Sequence, residues 1–312
     1  MKKTLLFAMA IFATGFFNAQ VLQQVNFESF SIGSIIGQDS YQQSGGANPD
    51  FQVISSGTDK DLKIVGSSTT DSKYLWKDGL DALWNARTAG KNIIQIEYDF
   101  YTGASNSSEN AMGIELYDMD YNYLAGLSML QNTKEIYGIY TVGGGPTLFD
   151  LGATTVVLPQ DTWVRVGFAY NTTTGEVTLK GPGFNGTIQG DVSGAPFEYD
   201  FAVQDFNGTN TLSTDNIYDN VVVSAVSTAN LLSVNDIDRK VDINVFPNPA
   251  SDYININTKE KIKSVYLYNA SGIRVGKYSD SKSIDIKSLP KGTYLVNINT
   301  ENGNITKKII KK

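Results

Sequence analysis

Apolar and polar residues alternate with a period of two in short runs along most of the chain. In the N-terminal two thirds these runs lie near residues 22–27, 51–55, 62–66, 93–101, 111–117, 124–130, 136–142, 154–158, 163–170, 176–180, 196–203 and 217–225. Runs of this length, punctuated by Gly, Asn and Pro, predict half-buried strands. In the run 93–101, Ile94, Ile96, Tyr98 and Phe100 fall on one face, and Gln95, Glu97, Asp99 and Tyr101 on the other. Asn171-Thr-Thr-Thr-Gly175 predicts a hairpin loop in which Gly175 takes a positive φ. The alternation resumes near the C-terminus. There Ile254 and Ile256 alternate with Asn255 and Asn257, and Val265, Leu267 and Asn269 with Tyr266 and Tyr268. Turn residues at Ala270-Ser271-Gly272, Pro290-Lys291-Gly292 and Glu301-Asn302-Gly303 separate these runs. Pro247 and Pro249 hold the preceding residues extended, so Phe246-Pro247-Asn248-Pro249 predicts a stiff, non-helical entry.

The elements predict an all-β chain of two domains. Residues 20–228 form a large β-sandwich of jelly-roll type. Residues 241–312 form a small Ig-like β-sandwich of roughly six or seven strands. Residues 227–240 lose the alternation and gain Asn, Asp and Ser, which places a linker over 229–240. Residues 1–19 read as a signal peptide. Lys2-Lys3 precede an apolar stretch at 5–17 that is too short for a membrane anchor, and cleavage is expected between Ala19 and Gln20. No later run is long and apolar enough to span a bilayer, so the mature chain is not expected to be an integral membrane protein.

Composition narrows the chemistry. The chain has 312 residues with no Cys and no His. Disulfides, thiolate metal sites, cysteine nucleophiles, Ser-His-Asp triads and imidazole ligands are therefore excluded. Any metal must sit among oxygens, which points to calcium rather than zinc. Charge is uneven. Residues 20–230 carry nine Lys or Arg against 24 Asp or Glu, whereas residues 231–312 carry fourteen against eight. A body this acidic repels phosphate backbones, so nucleic acid is not expected as a partner.

The C-terminal motifs carry a resemblance. They are Phe246-Pro247-Asn248-Pro249-Ala-Ser-Asp-Tyr-Ile-Asn-Ile, Val265-Tyr-Leu-Tyr-Asn-Ala-Ser-Gly272, Leu289-Pro-Lys-Gly292-Thr-Tyr294-Leu-Val and the terminal Lys307-Lys308-Ile-Ile-Lys-Lys. This stretch resembles the type A C-terminal sorting domain of the type IX secretion system. The resemblance implies that the machinery carries the protein across the outer membrane. A sortase then removes the tail, and the cargo is released or attached at the cell surface. The body resembles concanavalin A-like and laminin-G-like sandwiches in Asp161-Thr-Trp163-Val-Arg-Val-Gly-Phe-Ala-Tyr170-Asn, in Tyr218-Asp219-Asn220-Val-Val-Val and in Asn26-Phe27-Glu28-Ser-Phe30. Many such domains bind sugars on a concave face, and others bind protein.

Candidate chemistry is limited to oxygen donors and aromatics. Glu97-Tyr-Asp99 is similar to part of the Glu-x-Asp-x-x-Glu strand of laminarinase-like glycosidases, but Thr102 stands where the third carboxylate belongs. Glu28, Asp219 and Asn220, from the first and last strands, form a candidate calcium cage. Asp118-Met-Asp120-Tyr-Asn122 resembles a calcium loop but lacks its glycine, and a plain turn explains it as well. Trp163 is expected in the core. Trp76 and Trp84 lie in an unpatterned stretch at 73–87 and are candidate stacking platforms for a ligand, as Glu97 and Asp99 are candidate polar contacts. The expected protein is an exported, non-catalytic binding or adhesive module for glycans. The alternatives are a carboxylate-based glycosidase and a structural surface protein.

Overall fold

The computed structural model describes residues 19–57, 59–232, 243–258, 260–279, 281–300 and 303–312. The expected signal peptide, apart from Ala19, and residues 233–240 of the expected linker lie outside the described residues. The described chain is almost entirely antiparallel strand, with one short α-helix at Leu80–Asn85. No described helix is long and apolar enough to cross a membrane.

Two sheets stack to form the body. The first runs in the order Phe184–Gln189, Glu176–Gly181, Trp163–Asn171, Ile93–Tyr101, Asp215–Val226, Asp59–Val65, Phe51–Ser56 and Gly33–Ser34, with Gln20–Val25 also paired to Asp215–Val226. The second runs Gly145–Asp150, Glu135–Val142, Tyr123–Leu130, Asn110–Tyr117, Glu198–Asp205, Lys73–Lys77 and Tyr41–Ser44, with Val156–Val157 at its side. Alternation decides which residues face inward. Ile94, Ile96, Tyr98 and Phe100 meet Ile114, Leu116, Leu127 and Phe201 in one continuous core.

The strand expected over 93–101 has those bounds, and Gly175 has a φ of 76° in the predicted hairpin. Strands Tyr41–Ser44, Lys73–Lys77, Gly145–Asp150 and Phe184–Gln189 were not expected from the sequence. Their alternation is weak because they lie at or beside sheet edges, where only part of one face is buried. Trp84 lies in the short helix and is 2% exposed within the core. Its ring is packed, with the Arg87 guanidinium 3.9 Å from its centroid, so it is not a ligand platform. Trp163, expected in the core, faces outward instead, against Tyr101 (5.8 Å between centroids) and the Arg274 guanidinium (4.2 Å).

Among the described residues the C-terminal unit has seven strands in two sheets, Asn244–Phe246, Tyr253–Asn257 and Ser283–Asp285 in one, and Arg274–Ser279, Ile262–Asn269, Gly292–Thr300 and Gly303–Lys311 in the other. Ile254, Ile256, Val265, Leu267, Ile284, Val296 and Ile298 close its separate core. The entry segment is stitched down by Asn248. Its Nδ2 donates to the Lys308 carbonyl (2.9 Å) and its Oδ1 accepts from the Ile310 amide (2.9 Å). Gly272 turns the chain at a φ of 77°, and the Tyr294 hydroxyl donates to the Pro290 carbonyl beside Gly292 (2.8 Å).

Strands Asn110–Tyr117 and Tyr123–Leu130 approach closely at Gly113, where an added Cβ would lie 1.8 Å from the Leu127 carbonyl oxygen. Gly113→Ala must part the strands there. We expect it to lower stability by at least about 2 kcal/mol in urea denaturation of the full chain. An unchanged midpoint would refute this packing.

Candidate functional site

The outer face of the first sheet is polar, and its centre is buried. Glu97 and Asp99 point outward from Ile93–Tyr101, as their register predicts. Arg165 stands directly across from Asp99 on the neighbouring strand. Its Nη1 donates to Asp99 Oδ1 (2.9 Å) and to the Asn220 carbonyl (3.2 Å), and its Nη2 to Glu97 Oε2 (3.3 Å). A bulge between Asp219 and Val222 gives Asn220 a φ of 51°. Tyr218 and Val221 both reach the core, so Asp219 and Asn220 are left together outside it. Asn220 Nδ2 then donates to Asp99 Oδ2 (3.0 Å) and Asp219 Oδ2 (2.9 Å).

The C-terminal unit covers this face. The Tyr268 hydroxyl donates to Asp99 Oδ2, and the Tyr266 hydroxyl to Asp59 Oδ2 and Asp219 Oδ2 (3.3 Å for the latter). Lys277 Nζ forms an ion pair with Asp59. Asn299 Nδ2 donates to Asn220 Oδ1 (3.3 Å), and the Arg165 amide donates to the Gly272 carbonyl (3.0 Å). The start of the expected linker is seated here as well. The amides of Asn230 and Leu232 donate to Gln95 Oε1 (3.1 Å) and Glu97 Oε1 (2.8 Å). Glu97 and Asp99 therefore have their oxygens engaged, and neither is open to a ligand while the tail is in place.

The expected calcium cage changes membership. Asp219 is in it, but its companions are Asp59 and Asp61 on the next strand, with one oxygen from each of the three within 4.8 Å of the others. This buried trio can hold a divalent cation. Glu28 stands one step away. Burial and a hydrogen bond with Asp59 push its carboxyl up to about 7, and its Oε1 accepts from the Lys60 amide (3.0 Å). Asn220 offers its Nδ2 to the carboxylates and its Oδ1 to Asn299, so it is not a cation ligand in this state. Burial, then the charges of Asp61, Asp59 and Asp99, hold the Asp219 carboxyl well above the usual range. Burial also raises Asp61 to about 6. Asp59 goes the other way, because hydrogen bonds from Glu28, Lys277 and Tyr266 outweigh its burial. Asp59 and Asp61 were missed because an Asp-Lys-Asp run at a strand start looks like solvated turn residues. Asp118 is a turn, as the plainer reading had it, with Oδ1 accepting the amides of Asp120 (3.0 Å) and Asn122 (2.9 Å).

A second polar face lies on the outside of the second sheet. Trp76 is half-buried there, opposite exposed Gln42, and Tyr74 pairs with Ala202. Asp200 stands across from Glu115 on adjacent strands. Glu115 Oε2 accepts from the Tyr117 hydroxyl (2.5 Å) and Gln204 Nε2 (2.7 Å). Burial pushes Glu115 up to about 7 against those bonds. Burial, then Glu198 and Glu115, push Asp200 up to about 8. Asp200 Oδ1 is buried without a hydrogen-bond partner among the described residues. Both residues lie in runs that the sequence marks as strands, 111–117 and 196–203, but nothing in those runs separates them from other outward carboxylates.

Residues 244–312 match the family described as the secretion system C-terminal sorting domain, so the chain carries such a domain over its last fifth or so. No curated protein sequence matches the chain. Among solved structures, the chain is similar to a carbohydrate esterase from the Shiga toxin-encoding bacteriophage phi24B, at 18% identity and TM-score 0.47, over 67% of this chain and 100% of that one. It is also similar to the CBM2 module of an evolved Dit protein from Lactobacillus casei BL23 phage J-1, at 11% identity and TM-score 0.41, over 68% of this chain and 98% of that one. A sialidase matches at 11% identity and TM-score 0.45, over 67% of this chain and 19% of that one. Likenesses this loose are to the general β-sandwich form and decide nothing about ligand or activity.

The raised carboxyls on the second sheet make stability fall as pH rises. Between the ordinary carboxylate range near 4 and about 8, the folded chain keeps protons that the unfolded chain releases. Asp200→Asn removes the larger contribution. We expect it to flatten the stability profile between about pH 4 and 8 and to gain on the order of 1–3 kcal/mol at pH 8. Thermal denaturation across that range checks it, and a parallel wild-type and variant profile would refute it.

Proposed function

We propose that this chain is an exported cargo of the type IX secretion system whose body is a concanavalin A-like jelly-roll that binds glycans without hydrolysing them. The Ig-like tail engages the secretion machinery and is cut away by a sortase, leaving the body released or on the cell surface. The sorting-domain match at residues 244–312 carries the export half of this reading. The glycan half is supported by the second sheet's outer face. Trp76, Tyr74 and Tyr123 offer partly exposed rings, and Gln42 offers an amide beside them. Aromatic faces with adjacent hydrogen-bonding groups suit sugar rings, which are apolar on their faces and polar at their rims. The first sheet's outer face supports this choice, because the tail occupies it. Calcium is the proposed cofactor, at Asp59, Asp61 and Asp219, where only oxygen donors are offered.

One observation favours a second reading, a carboxylate glycosidase. Asp200 and Glu115 face each other across adjacent strands, where side chains start about 4.5–5.5 Å apart, and both carboxyls are raised. Against it, Glu115 is 1% exposed, which leaves little room for a polysaccharide. Glu97 and Asp99 are poorer candidates still, held by Arg165 beneath the tail.

Deleting residues 241–312 is expected to hold the protein inside the cell envelope, and material outside the cell is expected to lack the tail by intact-mass measurement. Equal amounts of truncated and full-length protein outside the cell would refute the export reading. On a glycan array, Trp76→Ala is expected to weaken binding by roughly five-fold, the value of about 1 kcal/mol of stacking. Reducing-sugar release by wild type that is lost in Glu115→Gln would replace the binding module with the glycosidase.

A further inference from the structure

We propose that the tail and a divalent cation compete for one site, so that the cluster of Asp59, Asp61 and Asp219 takes Lys277, on Asp59, while the tail is docked and a calcium-class cation once it has left. This rests on the cofactor reading above and adds its control.

The trio is built by register. Antiparallel pairing sets Tyr218 opposite Leu62 and Ile217 opposite Lys63, and continuing it brings Asp219 opposite Asp61. Asp59 follows two residues along on the same face. One oxygen of each lies within 4.8 Å of the others. A separate observation points to a ligand here. Asp61 is 1% exposed, and its Oδ1 has no hydrogen-bond partner among the described residues. An unsatisfied buried carboxylate oxygen in an acidic cluster is costly, and a cation is the partner that satisfies it with least rearrangement.

The tail already supplies a cation, imperfectly. Lys277 Nζ pairs with Asp59, and the Tyr266 hydroxyl bridges Asp59 and Asp219. A single ammonium offers one charge and three protons, and here it leaves Asp61 Oδ1 unsatisfied. When the tail departs, the three carboxylates lose the ammonium and the hydroxyl together and are left open to solvent with their charges uncompensated. Three carboxylates can give up to six oxygens, which matches the coordination number of calcium and lacks the thiolate or imidazole that softer metals prefer. Magnesium demands tighter octahedral geometry and more retained water, so it fits a set of carboxylates on adjacent strands less well.

The test uses the full chain and calcium alone, read by equilibrium dialysis. Uncut wild type is expected to take up little calcium at millimolar concentration. Lys277→Met, with the tail still attached, is expected to bind one calcium per chain at least ten-fold more tightly than wild type, and adding Asp61→Asn should abolish that gain. A chain with a protease site inserted in residues 233–240 is then cut. The two pieces are expected to elute together in chelator and apart in calcium. Measurable calcium binding that is equal in wild type and Lys277→Met would overturn the competition and leave the cofactor reading standing. No calcium bound by Lys277→Met, nor by the cut chain, would overturn the cation site itself. Circular dichroism of each variant keeps misfolding from passing for either result.

Discussion

The outer face of the first sheet buries Asp99, Asp59, Asp61 and Asp219 and half-buries Glu97, with the Arg165 guanidinium among them. Carboxylates at that density cannot all be ionised and dry without donors. The body supplies Arg165 and the Asn220 amide, and the tail supplies Tyr266, Tyr268 and Lys277. The rest of the architecture follows from that need. Strand Ile262–Asn269 is buried on both faces, because Val265 and Leu267 fill the tail's own core while Tyr266 and Tyr268 reach across to the body. A main-chain bridge between Val164 and Ile273 fixes the two units in register beside this contact.

The uneven charge of the chain takes on a structural meaning in this light. An acidic body and a basic tail were legible as composition, and the contact between them puts Lys277 and Arg274 over the body's acidic face. Long-range attraction guides such a docking, but the buried hydrogen bonds decide its geometry. The same contact divides the body's two outer faces by role. One is neutralised by the tail. The other keeps Trp76 and Tyr74 partly open beside carboxyls that burial holds protonated into the neutral range.

Most of the strand pattern could be read from the sequence because alternation records burial on one face. The run 93–101 was legible to the residue, and the tail's strands were legible in type and approximate number. The short edge strands were not, since an edge buries too little to leave a pattern. The site was half legible. Asp219 was found as a possible cation ligand, but its partners Asp59 and Asp61 depend on which strand lies beside which, and no local pattern encodes that. Glu97 and Asp99 were rightly placed on the outer face. What could not be read was that this face would be covered, because the residues that cover Glu97 and Asp99 lie at least 135 positions away, with Tyr268 on Asp99, 169 positions away, as the clearest case. Trp84 misled because an aromatic in an unpatterned stretch is equally compatible with a surface platform and with a short helix tucked into the core.

The residues that make the tail recognisable in sequence mostly hold it together. Asn248 ties the entry loop to the terminal strand, Tyr294 closes the turn at Pro290, and Gly272 allows both a tight turn and the amide contact from Arg165. Such positions tolerate little change for reasons of geometry, so a sequence signature built on them reports a fold before it reports a recognition surface. Tyr266 and Tyr268 are committed to the body in the docked state. A partner meeting the intact chain finds the surface left over, which includes Phe246 and Tyr253 on the tail's other sheet, each more than a third exposed. Recognition of the tail and protection of the body's acidic face can then operate together, because they use opposite sides of the same small sandwich.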